Sequence, residues 1–198
     1  MSRSSTRVAS VASLNESAAP TVYDRNLHRR RNEVSFSAFA YVFSEAIQYC
    51  NRQARDVSDL ETRLNRMGQH IGMRALELVV LREGKSAKRE TKVLQIIQFV
   101  TTSLWRALFG KAADSVQVST EEKNQYMVVD NDPLVTNFVS VPKDMSSLNC
   151  GALVAGVMQG AFSSAGFPCT VTAHNHETEE TPDRTVFVVK FQSDVELS

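Results

Sequence analysis

The sequence predicts an α+β domain with element order αααββαββ and an antiparallel sheet of four strands packed against helices. Three observations carry this. Apolar residues recur at three- and four-residue steps through the first half of the chain. Runs of β-branched and aromatic residues come in two pairs in the second half, and an almost wholly apolar segment of helical length separates the pairs.

Helix one follows Ser35, with Phe36, Phe39, Ala40, Phe43, Ile47 and Cys50 on one face. Helix two opens on Ser58 with Glu61 three residues on, which reads as a capping box, and repeats Leu60, Leu64, Met67, Ile71 and Leu78 before Gly84 ends it. Gly68 and Gly72 lie one turn apart inside it. Each costs roughly 1 kcal/mol of helix propensity relative to alanine, so both are expected where another backbone comes close. Helix three is expected over residues 88 to 109, with Val93, Leu94, Ile97, Val100, Leu104, Trp105 and Leu108 as its stripe. Strands at 126–129 and 134–141, punctuated by Asn131-Asp132-Pro133, read as a hairpin. Helix four, 147–165, is apolar nearly all round and should be covered on several sides. Two last strands, 169–176 and 185–191, flank an acidic loop, 177–183.

Composition narrows the function classes. The chain of 198 residues has 42% hydrophobic and 22% charged residues, the balance of a soluble globular protein. The longest stretch without a formal charge, 145–176, is broken by polar residues, and its apolar centre, 150–162, is too short to cross a bilayer of about 30 Å. Residues 1–32 carry six arginines against Glu16 and Asp24 and too few large apolar side chains to order themselves, so a flexible basic tail is expected there. A domain at 33–192 and a short tail at 193–198 complete the chain. The net charge is zero, so the whole chain presents no field for a polyanion. Nucleic-acid binding is further discounted because Phe138, Phe187 and Phe191 have only Lys190 as a basic neighbour. Cys50, Cys150 and Cys169 are odd in number and widely spaced, which fits a reducing compartment.

No residue set has the spacing of a catalytic, metal or cofactor site. Gly84-Lys85-Ser86 lacks the glycine that a phosphate loop needs at position 79, which is Val79, and continues helical rather than strand periodicity. His174 and His176 alternate on a strand and could share a metal with Glu177, but no further ligand completes the set. Cys150, expected in the first turn of helix four, would there have a lowered thiol pKa, yet Gly151, Ala152, Leu153 and Val154 beside it point to packing. What remains is a surplus of apolar helical surface, with Tyr41 and Val42 adjoining the helix-one stripe, and this suggests a protein interface.

An ordered series of strings carries a resemblance. Met67-Gly68-Gln69-His70-Ile71-Gly72-Met73-Arg74, Arg89-Glu90-Thr91-Lys92-Val93-Leu94, Trp105-Arg106-Ala107-Leu108-Phe109-Gly110-Lys111, Asp132-Pro133-Leu134, Val141-Pro142-Lys143, Leu148-Asn149-Cys150, Ala155-Gly156 and Thr172-Ala173-His174 resemble the transport protein particle (TRAPP) small-subunit family over about residues 33 to 192. The resemblance implies that family's α+β fold and pairing with a sister small subunit through helices one and two. It also implies membership of a complex that tethers vesicles in transport from the endoplasmic reticulum to the Golgi and promotes nucleotide exchange on a Rab-type GTPase, with this chain as a scaffold subunit. A cytoplasmic protein held peripherally at the early Golgi and endoplasmic reticulum is implied by the same source. Another branch of the family carries an acylated cysteine four residues before the Arg-Glu-Thr string. Lys85 stands there in this chain, so covalent palmitate is not expected.

The residues expected to meet a partner are Phe36, Phe39, Phe43, Leu60, Leu64, Met67 and Ile71. A second reading is a binder of a small apolar ligand or acyl chain between helix four and the sheet, with room left by Gly151, Gly156 and Gly160.

Overall fold

Backbone meets backbone at the centre of this fold. In the computed structural model, which describes residues 34–83, 89–120, 122, 124–137, 139–145, 147–176 and 178–192, two long helices cross at four glycines. Helix α1 (Phe36–Gln53) turns at residues 54–56 into α2 (Val57–Glu83). Next come α3 (Val93–Phe99), a π turn (Val100–Leu104), α4 (Trp105–Phe109), and strands β1 (Ser115–Val118) and β2 (Gln125–Asp130). A 3-10 turn (Lys143–Met145), α5 (Ala152–Ser164), β3 (Cys169–Asn175) and β4 (Thr185–Phe191) complete the chain. The order is the αααββαββ expected, and the sheet runs β1-β2-β4-β3 with every pair antiparallel.

The layers are dictated by the apolar faces. Along β4, alternate residues Thr185, Phe187, Val189 and Phe191 are buried, and they meet Trp105 and Phe162 from the helices through edge-on ring contacts at 5.7 and 5.4 Å. Helix α5, buried on nearly every side, fills the space between sheet and α2. On α2 the buried stripe is Leu60, Leu64, Gly68, Gly72, Leu76 and Val79. A Cβ at Gly68 would lie 2.8 Å from the Val157 amide nitrogen and closer still to the Leu153 carbonyl oxygen. Cβ atoms at Gly72, Gly156 and Gly160 would likewise overlap the backbone of Val157, Asn65 and Gln69. The expectation for Gly68 and Gly72 holds, and α5 reciprocates with two glycines of its own.

Several local expectations are corrected. The hairpin forms from Ser115–Val118 and Gln125–Asp130, whereas residues 134–137 form a turn and 139–142 have no regular structure. Pro133 has no amide to pair, and its carbonyl accepts from Thr136 N instead, curling the chain away from the sheet. Strand β1 leaves little mark in the sequence, because all its side chains are exposed and its apolar content is only Val116 and Val118. Helix α2 is capped by Asp56, whose Oδ1 accepts from Asp59 N at 2.8 Å. Glu61 is not part of a capping box and accepts instead from Asn149 N, also at 2.8 Å.

The third helical segment starts at Val93, and it contains the π turn. Thr101 and Thr102 hydroxyls bond back to the carbonyls of Ile97 and Gln98 at 2.8 and 2.6 Å, loosening the ladder, and Trp105 N donates to Val100 O five residues back. The freed Thr101 carbonyl accepts from Ala113 N at 2.9 Å. One extra residue in the turn rotates α4 relative to α3. Leu108, expected inside, is exposed, and Phe109 packs on Trp105 at 5.0 Å; Leu94 is also exposed. Gly110 ends α4 at φ 79°, and after it Lys111 Nζ meets the buried Asp130 carboxylate at 2.6 Å. Helix four begins at Ala152 rather than at 147, because Asn149 Oδ1 takes Gly151 N at 2.7 Å in a tight Asx turn before it. Expectations on the 1–32 tail, Gly84, Lys85, the start at Lys88, Phe138, Glu177 and the 193–198 tail fall outside the described residues.

By helix propensity alone Gly72→Ala would stabilise the protein by roughly 1 kcal/mol. The new methyl group has only the Val157 backbone to move, so we expect the opposite sign, a loss of about 3 kcal/mol, read as a lowered urea midpoint.

Candidate partner-binding surface

The residues expected to meet a partner separate into two groups. Phe43 is buried and stacks on Phe39 at 5.7 Å with the rings 7° from parallel, and Leu60 and Leu64 have no exposed area. These three are buried in the chain's own core, on the sides of α1 and α2 that the fold itself covers. Phe36 stays 47% exposed and Ile71 41%, while Phe39 and Met67 are half-buried at the margin. Ile71 precedes Gly72 by one residue, and a turn of about 100° per residue carries it from the α5 contact to the outside.

The structure adds residues to that surface. Tyr41 is 78% exposed and Val42 71%, with Tyr49 and Val34 also outside, so α1 is apolar on both sides. Met73, Val80 and Leu81 extend the outer side of α2. Tyr49 comes seven residues after Val42, a spacing that could have revealed it. Charged residues are interspersed with the apolar ones on these helices. Glu45 and Arg52 of α1 approach to 3.7 Å, both about two-thirds exposed, so their pairing contributes little. Arg74 Nη1 donates to the His70 carbonyl at 2.9 Å, and Arg66 lies a turn earlier on the same exposed strip of α2. Among the described elements, α1 is applied to the rest of the fold mainly through α2. A helix held on one side and apolar on the other is the arrangement an interface core requires.

The candidate chemical residues sit elsewhere. Cys150 is in the turn ahead of α5, not in its first turn, and burial, helped by the Glu61 carboxylate, pushes its thiol up to about 11. Burial alone takes Cys169 up to about 12. Cys50 is raised by burial as well, with Arg63 opposing. His174 and His176 are exposed, and His174 Nε2 is 2.8 Å from Thr172 Oγ1. Among the described residues no three His, Cys, Asp or Glu side chains gather to hold a metal. Val79, at the position where a phosphate loop needs glycine, is inside α2. Phe187 and Phe191 point into the core rather than to a base-stacking face.

Gly156 and Gly160 leave no room for a ligand, since the backbone of α2 occupies that space, and a Cβ at Gly151 would meet Asn149 Oδ1 at 2.7 Å. These glycines therefore hold no space open beside helix four for a ligand. A groove of about 460 Å³ lies instead where α2, α3 and the end of α5 converge, lined by Leu76, Val80, Ile96, Phe99 and Ala165, with Arg89 and Glu90 among its polar residues. No described helix is long and apolar enough to cross a membrane.

The raised thiols set a pH dependence. An acid whose pKa is higher when folded stabilises the fold below its unfolded value, about 8.5 for cysteine, and loses that contribution as pH climbs towards about 11 for Cys150. At pH 8 we expect Cys150 to react with iodoacetamide at least about a hundredfold more slowly than in urea-unfolded chain, monitored by peptide mass spectrometry. Equal rates would contradict the burial.

Comparison with known proteins agrees with this architecture. The family model for "Transport protein particle (TRAPP) component" matches residues 39–192. A relative from Dictyostelium discoideum named "Trafficking protein particle complex subunit 5" is 47% identical over 181 residues, covering 90% of this chain and 97% of its own. The human protein of the same name is 40% identical over 172 residues, 87% of this chain and 88% of its own. "Trafficking protein particle complex subunit 31" of Saccharomyces cerevisiae is 28% identical over 88% of this chain and 81% of its own. A crystal structure of a trafficking protein particle complex subunit 3 from Naegleria fowleri, covalently bound to palmitic acid, superposes with a TM-score of 0.65 at 18% identity over 81% of this chain and 97% of its own, and so shares the fold. With the family model spanning the crossing helices and the whole sheet, and relatives this similar over most of their lengths, the chain belongs to the TRAPP component family.

Proposed function

We propose that this chain is a scaffold subunit of a multisubunit trafficking particle, and that α1 with the outer side of α2 docks on a sister small subunit. The observation that carries the reading is the exposure of Phe36, Tyr41, Val42 and Ile71 on helices that the other described residues cover from one side. Relatives named as subunits of the trafficking protein particle complex support it. In the assembled particle the chain positions its neighbours, and the particle as a whole tethers vesicles between endoplasmic reticulum and Golgi and promotes nucleotide exchange on a Rab-type GTPase. Contact with the membrane is then peripheral, on the cytoplasmic side of the early Golgi and endoplasmic reticulum.

The groove at α2, α3 and α5 favours a second reading. Its apolar walls suit an acyl chain, and Arg89 at its polar end suits the carboxylate. Native mass spectrometry of the purified chain decides this: a copurifying fatty acid supports it, and a bare mass counts against it.

Coexpression with candidate sister subunits tests the main proposal. Phe36→Ser with Ile71→Ser removes exposed apolar area without opening the core, so the melting temperature of the chain alone should change little while affinity for the sister falls by roughly tenfold or more. Undiminished affinity would place the interface elsewhere.

A further inference from the structure

A sheet of four strands has two edges, and one of them is occupied by side-chain amides. Among the described residues β3 is an edge strand, paired with β4 alone, and Val171 stands opposite Val189 in that ladder. The backbone of Val171 is turned to the open side. There its N–H donates to Gln159 Oε1 of α5 at 3.3 Å, and its carbonyl accepts from Asn65 Nδ2 of α2, also at 3.3 Å. The two amides therefore take both groups that an incoming strand would use at this position.

The amides are themselves held. Gln69 Nε2 donates to Asn65 Oδ1 at 2.7 Å, which fixes the Asn65 amide group with its nitrogen towards the strand. The glycine crossing puts α2 and α5 close enough for Asn65 and Gln159 to reach one residue from two helices: Gly156 abuts the Asn65 backbone and Gly160 that of Gln69. Further along, Asn149 Nδ2 donates to Asn175 Oδ1 at 2.8 Å, so a third amide tethers the end of the same strand.

We infer that Asn65 and Gln159 form a plug that closes the β3 edge to strand addition and keeps copies of this chain from joining sheet to sheet. The plug satisfies a buried residue's backbone without a fifth strand, and it presents an incoming chain with amide groups already engaged instead of a free N–H and C=O. The inference is independent of the helix-mediated interface, which lies on α1 and the opposite side of α2.

The test compares full-length variants with the parent chain in one buffer, so that any association through the helices is common to all. In Asn65→Ala with Gln159→Leu, hydrogen exchange at the Val171 amide should quicken at least about fivefold. Light scattering should show oligomers that grow with concentration beyond those of the parent. Adding Thr172→Lys, a charge on the exposed side of the same edge strand, should return the parent's distribution, because edge lysines oppose strand pairing. If the double variant is too unstable to purify, Gln159→Leu alone gives the same reading, since it frees the Val171 N–H. Oligomers no larger than the parent's, or oligomers that persist with Thr172→Lys, would overturn the inference; persistence would indicate a general loss of packing.

Discussion

The backbone contact between α2 and α5 is the constraint on which the rest of the architecture depends. Helices with ordinary side chains pack with axes 8–10 Å apart. Gly68 and Gly72 facing Gly156 and Gly160 allow a closer approach, at a cost of roughly 1 kcal/mol of helix propensity for each glycine. That cost is offset by burial: α5, with almost no polar surface of its own, is enclosed by α2 on one side and by the sheet on the other. Because the contact is made by main chain, it tolerates little adjustment, and it sets the height at which every α2 side chain meets its neighbour.

Polar bonds then fix the elements that the glycines bring together. Glu61 holds the turn before α5, and Asn65 and Gln159 hold the middle of β3. Lys111 and Asp130 tie the end of α4 to the end of β2. Each joins elements far apart in sequence at a place where an unpaired backbone or carboxylate group would otherwise be buried, and leaving one unsatisfied would cost about 1–3 kcal/mol. The core is thus complete without α1's outer face. The apolar residues there, Tyr41 and Val42 above all, remain exposed.

Much of this was legible beforehand. The chain order, the last two strands and the close approach at Gly68 and Gly72 are consequences of periodicity and of glycines placed where propensity disfavours them. The ends of elements were less legible because they depend on single hydrogen bonds. Asp56 rather than Ser58 caps α2, and Glu61, read as a local cap, bonds 88 residues away. The π turn was hidden because two threonine hydroxyls bonded to preceding carbonyls leave no periodic mark, yet it turns Leu108 outward and lays the half-buried Phe109 against the core.

Of the candidate interface, the sequence by itself determined that α1 and α2 carry more apolar surface than a small sheet can cover, since composition and helical spacing are properties of the chain alone. Only the tertiary structure decided which of those residues the fold keeps. Phe43, Leu60 and Leu64 went inside, while Phe36 and Ile71 stayed out. A helical stripe shows which residues share a face, but the crossing at Gly68, Gly72, Gly156 and Gly160 sets which side of that face meets a neighbour, and the crossing is fixed by two segments that sequence proximity does not connect.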